Sequence, residues 1–162
     1  MTSSPVLYPD PRLASVAAPA TDFGPALAEV AARLGQALTD IPAIGLAGPH
    51  LGINARIVAV RLAASATTVY VNPEIVWRAE ATVRHEEGSV SMPGVVAEIE
   101  RPAAIRLAYR RLDGTAAEAD LSGFAAAVLC HEIDQLDGIF FIDRLSRLKR
   151  DRLLKRWRKH GA

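Results

Sequence analysis

Cys130-His131-Glu132-Ile133-Asp134-Gln135-Leu136-Asp137-Gly138 is the stretch on which the reading of the whole chain turns. Its segment from His131 to Gln135 differs by one residue from HExxH, the signature in which two histidines a helical turn apart grip a metal and the glutamate handles protons. Residues four apart lie on one face of a helix, so a helix here brings His131 and Gln135 to the same space. Only His131 is a good imidazole ligand, because a carboxamide oxygen is a weak, hard donor that suits neither zinc nor ferrous iron. Cys130 points about 100° away from His131 and is expected as a small buried side chain. Ser122 is placed to cap this helix and Gly138 to stop it.

Working outward, Phe23 to about Thr39 carries Leu27, Val30, Ala31, Leu34 and Leu38 at helical spacing, with Asp22 as its N-cap. Ile57–Leu62, Thr67–Val71, Glu80–Glu87 and Ile105–Arg110 read as strands, judged by β-branched residues and by Asn-Pro or Asp-Gly punctuation. Strands first and a helix with polar residues later give an α+β plan. The 162 residues, half of them hydrophobic, suffice for one domain with its own core. The first residues lack a basic and apolar signal pattern, no apolar run reaches the roughly 20 residues of a membrane span, and a lone cysteine forms no intramolecular disulfide. The expected location is cytoplasmic.

Three stretches carry a family resemblance. Ala43-Ile44-Gly45-Leu46-Ala47-Gly48-Pro49-His50 resembles the GxGLAxPQ stretch of peptide deformylases. Glu86-Glu87-Gly88-Ser89-Val90-Ser91-Met92-Pro93-Gly94 resembles their EEGCLSxPG stretch, and residues 130–138 resemble QHExDHLxG. Tyr8 to Leu13 and Gly138 to Arg144 add to it, so the likeness spans nearly the whole chain. It implies the family's α+β fold around a central active-site helix, with a domain over residues 1–143 and a basic helix over 144–162. The implied reaction is removal of the formyl group from the N-terminal methionine of nascent chains.

Carried onto this chain, the family's metal ligands fall at Ser89, His131 and Gln135, of which only His131 is kept. A serine hydroxyl is neutral near pH 7, and a catalytic zinc uses about three protein ligands plus water, so no tightly bound iron or zinc is expected there. Glu132 matches the family's general acid/base. Water that has lost its ion keeps a pKa near 15.7 instead of about 7, which leaves that carboxylate a poor base for it. His50 and the Val90 amide match the oxyanion donors, and Gly45, Leu46, Ser89 and Val90 the peptide-binding stretches. Val95-Val96 stands where the family often has an arginine that holds peptide, and Glu87 is expected to pair with Arg101.

These residues admit several readings. His131 and Glu132 can be an inherited polar patch, with His131 hydrogen-bonded to Gln135 or Ser89. His50, His131 and Glu132 can rebuild a zinc site of two imidazoles and a carboxylate, although adjacent helical residues converge on one ion only with strain. Ser89 can act as a nucleophile with His131 as base and no metal. As a binding module, the cleft can take an N-terminal methionine or formyl-methionine peptide between Gly45-Leu46 and Ser89-Val90. His85 and His160 are most simply solvated.

Charge is unevenly spread. Residues 144–162 hold nine lysines and arginines against the single acid Asp151, whereas the rest of the chain is acidic, within a net charge of +1. Such a helix can reach RNA phosphates, which makes the ribosome a candidate partner. The alternative is a solvated helix resting on the domain through Leu145, Leu148, Leu153 and Trp157.

Overall fold

A computed structural model describes residues 4–62 and 66–160. Helix α1 (Pro25–Asp40) precedes strands β1 (Gly45–Ala47), β2 (Ile57–Val60) and β3 (Thr68–Arg78). Then come β4 (Thr82–Ser89), β5 (Met92–Pro102), β6 (Ala104–Arg110), β7 (Ala116–Ser122), α2 (Gly123–Leu136) and α3 (Arg147–His160). An antiparallel five-stranded sheet runs β1-β2-β3-β6-β7, and β4 and β5 form a separate two-stranded hairpin.

Strand β2 shows why the sheet sits inside. All four of its residues are buried, Ile57 and Ala59 against α1, and Val58 and Val60 toward α2. A continuous apolar run of this kind belongs to a strand covered on both faces. Leu27, Leu34 and Leu38 of α1 close one side, and Leu129, Ile133 and Leu136 of α2 close the other. A third cluster joins β5 to the C-terminal part, with Met92, Ile99, Phe141, Leu153 and Trp157 at its centre. Most of the surface of α2 is therefore buried, and its polar side chains must find partners within the protein.

The α+β expectation holds, and several boundaries move. Helix α1 starts at Pro25 after Gly24 rather than being capped by Asp22. Strand β2 stops at Val60, and β4 starts at Thr82. Strand β3 continues past Asn72-Pro73 because Asn72 takes φ 48 and its amide bonds the backbone of Ala20 in both directions, at 2.8 and 2.9 Å. The register slips there, so this punctuation marks a bulge and not an end. Ser122 does stand at the N-cap of α2, though its side chain makes no capping bond, and Gly138 ends the helix at φ 75. The basic helix begins at Arg147, with residues 141–144 in a 3-10 turn, and Leu148 points outward, 61% exposed, instead of touching the domain.

Candidate active site

The cleft of interest, about 520 Å³, lies between β1 and the start of α2 on one side and the β4-β5 hairpin on the other. His50, Ser89, Val90, His131 and Glu132 all line it, as does Gly45. Ile44, Phe124 and Val128 supply apolar wall. Strand β1 is an edge of the five-stranded sheet, so among the described residues its backbone has no neighbouring strand on one side. Leu46 lies in that strand, but its side chain packs into the core beneath α1. A Cβ on Gly45 would stand 2.9 Å from Glu132 Oε2, so glycine keeps room in front of the carboxylate.

A buried ionic chain supports the cleft floor. Arg101 donates two bonds to Glu87, at 2.7 and 2.8 Å, and one to Asp134 at 2.7 Å. Asp134 in turn receives two from Arg144, at 2.7 and 2.9 Å. Burial alone would raise the Glu87 carboxyl, but the bonds from Arg101 and His131 hold it down at about 2. Burial likewise opposes the Arg101 charge, which its two carboxylates more than restore. The expected pairing of Glu87 with Arg101 is present.

His131 Nδ1 lies 2.8 Å from Glu87 Oε1, not bonded to Gln135 or Ser89. Since Glu87 is ionised, Nδ1 donates and Nε2 keeps a free lone pair in the neutral ring. Burial disfavours a charge on His131, but the negative charges of Glu132 and Glu87 outweigh it and raise its pKa. Burial pushes Glu132 up to about 7. It pulls His50 down to about 3, helped by nearby His131, so His50 is neutral at physiological pH.

Two of the three expected ligand positions have side chains engaged in other hydrogen bonds. Gln135 is buried, and its Nε2 donates to the Leu13 carbonyl at 2.7 Å. A buried amide must find such a partner, and this one draws it away from the cleft. Ser89 Oγ accepts from the Ser91 N–H at 3.1 Å, and no hydrogen bond joins it to His131 among the described residues. The contact that a serine nucleophile needs with its base is therefore not made.

His50, His131 and Glu132 do gather, each with one possible ligand atom within 4.8 Å of the others. Atoms bound at about 2.0–2.1 Å around tetrahedral zinc would stand roughly 3.4 Å apart, so the cluster would have to contract. His50 poses the harder obstacle. Its Nδ1 takes the Ala47 N–H at 3.0 Å, and a backbone N–H can only donate. The ring proton of neutral His50 then sits on Nε2, leaving neither nitrogen with a free lone pair. Two good donors remain, fewer than a catalytic zinc uses.

Comparison with known proteins gives this arrangement its context. The family described as polypeptide deformylase matches residues 5–151. The chain belongs to the peptide deformylase family. Among relatives, a peptide deformylase-like protein of Brucella melitensis is 51% identical over 155 residues, covering 95% of this chain and 94% of its own length. A peptide deformylase of Mesorhizobium japonicum is 39% identical, covering 95% and 90%. The crystal structure of peptide deformylase from Thermus thermophilus matches with a TM-score of 0.91 at 33% identity, covering 98% and 94%. A peptide deformylase from Synechococcus elongatus in complex with actinonin matches with a TM-score of 0.89 at 27% identity, covering 94% and 85%. Peptide deformylases are hydrolases that use iron or zinc, and they act on the N-termini of nascent chains.

Two features of this deformylase-family cleft escape the sequence reading. His85 lines the cleft and is half-buried rather than solvated, and its Nε2 has no hydrogen-bond partner among the described residues. Strand alternation could have found it, because 85 and 87 share one face. Asp134, a spacer in HExxH but the aspartate of the longer QHExDHLxG stretch, joins Arg101 to Arg144. Cys130 is a small buried side chain, as expected, and burial raises its thiol pKa.

Proposed function

We propose that this deformylase-family protein keeps the peptide cleft but has lost the metal centre, so that deformylation is very weak or absent and the cleft binds N-terminal peptides without hydrolysing them. The observation that carries this is the commitment of Gln135 to the Leu13 carbonyl, with Ser89 already accepting from Ser91. His131 alone cannot hold iron or zinc at cellular free-metal levels. Glu132 stands beside a cleft in which water is not made acidic, and it has no strong nucleophile to generate. Peptide binding is supported by the free edge of β1 facing the cleft, since an extended peptide can add to an exposed strand edge. His50 Nε2–H and the Val90 amide are the donors available to a peptide carbonyl. Elemental analysis of protein purified without chelator, followed by turnover of formyl-Met-Ala-Ser with zinc, iron or nickel supplied, tests this. Substoichiometric metal and no turnover are expected, whereas one firmly held ion with steady turnover would refute it.

A contact with ribosomal RNA through the C-terminal helix is the second part of the proposal. Lys149, Arg152, Arg156 and Lys159 follow one another at helical spacing along a groove beside β5. Among the described residues of α3, only Arg147 meets an acid, Asp151, at 4.0 Å. A row of cations without internal partners is suited to phosphates.

A further inference from the structure

We infer that the groove between α3 and β5 is a site for a free nucleoside polyphosphate, with the phosphates along the cations of α3 and the nucleoside against β5. The inference rests on the phosphate reading of α3 above, and it adds a regulation, because a nucleotide held there competes with RNA.

One wall of the groove is cationic. Lys149, Arg152, Arg156 and Lys159 line a space of about 750 Å³, within the roughly 300–1,000 Å³ of small-molecule sites. From Lys149 to Lys159 the row rises about 15 Å along the helix. All four are exposed, and among the described residues none of them pairs with an acid. Arg152 and Arg156 stand four apart, a spacing at which like charges repel on a helix. An anion in the groove relieves that repulsion. Phosphate suits the row, since guanidinium forks hold its oxygens bidentately and lysine attracts it as a point charge.

The opposite wall narrows the class. Val96 and Glu98 are two residues apart on one face of β5, and both line the groove. Val96 is 53% exposed, and its apolar surface is continued by Leu145. Glu98 is the only acid lining the groove among the described residues, and its carboxylate forms no ion pair there with the cations of α3. An open carboxylate near bound phosphates is suited to accept the hydroxyls of a ribose. A nucleoside polyphosphate uses every one of these surfaces: its phosphates meet the cations, its base covers Val96 and Leu145, and its ribose donates to Glu98. Inorganic polyphosphate leaves the β5 wall unused and is repelled by Glu98. A fatty acid brings one charge to four cations and no donor for the carboxylate.

Calorimetry of the full chain at low salt, without divalent metal, compares adenosine triphosphate with tripolyphosphate and hexaglutamate. The nucleotide is expected to bind once per chain and about tenfold tighter than either of the others. Changing Arg152 and Arg156 together to glutamine should weaken it about tenfold or more. Glu98→Ala should act in opposite directions, strengthening tripolyphosphate by removing a like charge and cutting the nucleotide's advantage over it to about threefold or less. Should a variant fail to fold, the dideoxy nucleotide, which has no hydroxyl for Glu98, makes the same comparison on the wild-type chain and should bind more weakly than its parent. Tripolyphosphate, hexaglutamate or the dideoxy form binding as tightly as the nucleotide overturns the inference, as does an affinity that ignores the paired substitution. Displacement of a labelled single-stranded RNA then tests the competition. RNA that binds while the nucleotide neither binds nor displaces it sinks this inference alone, and a nucleotide that binds but leaves the RNA in place does the same. Nucleotide binding by a chain that takes no RNA upholds the site and sinks the RNA contact. Binding of neither sinks both.

Discussion

Arg101 carries more of the interior than any other polar residue, since its guanidinium is shared between Glu87 and Asp134. Arg101→Met keeps the volume and deletes the charge, leaving Glu87 with His131 alone and Asp134 with the half-exposed Arg144. Removing one partner of a buried ionic network costs about 3–5 kcal/mol, so the urea midpoint should fall sharply. The same network sets the acid limit. A Glu87 carboxyl held at about 2 in the fold, against an ordinary 4.5, contributes stability at pH values above the ordinary range. That contribution, of order 3 kcal/mol, is lost as pH falls through the folded value. Urea midpoints measured from about pH 5 to pH 2.5 should drop for the wild type and drop less for Glu87→Gln.

Gly138 ends α2 where two requirements meet, a φ of 75 and a Cβ position only 2.7 Å from the Ala14 carbonyl oxygen. Gly138→Ala therefore adds a left-handed strain to a backbone clash and is expected to destabilise by more than the roughly 1 kcal/mol of strain alone. Thermal unfolding by circular dichroism would register the shift, and an unchanged midpoint would mean the chain from Ala14 moves aside freely. That helix stop was legible from a single glycine after an apolar run, as was α1 from its spacing. Strand β5 was not, because Arg101 occupies an inward position alongside Val95, Ala97 and Ile99 and so breaks the apolar alternation. Strand β7 was hidden for another reason, its alanines carrying little strand preference. Within the site, the sequence marked Ser89 and Gln135 as altered, His131 as kept and His50 as near the cleft. It did not reveal that Gln135 turns to Leu13, since that bond spans the length of the chain and depends on burial that no local pattern encodes.

At the scale of the molecule, the net positive charge is concentrated in the C-terminal residues. Residues 144–162 carry an excess of eight positive charges, and the remaining chain an excess of seven negative ones. Leu153 and Trp157 anchor α3 in the cluster around Met92 and Phe141, so the helix is held by its apolar stripe while most of its cations face outward. Two long-range effects then oppose each other near a polyanion, attraction to α3 and repulsion of the acidic body. Both are screened beyond about 10 Å at 0.1 M salt, so encounter favours the helix end only at low to moderate ionic strength. Co-sedimentation with ribosomes should therefore fall steeply as salt rises, and should fall as well when Lys149, Arg152, Arg156 and Lys159 are all changed to glutamine. That variant leaves Leu153 and Trp157 in place, so a loss of pelleting with an unchanged thermal midpoint assigns the contact to charge on α3. Pelleting that ignores both salt and the four substitutions would instead mean that the helix serves the fold alone, through the two apolar residues that bind it to β5.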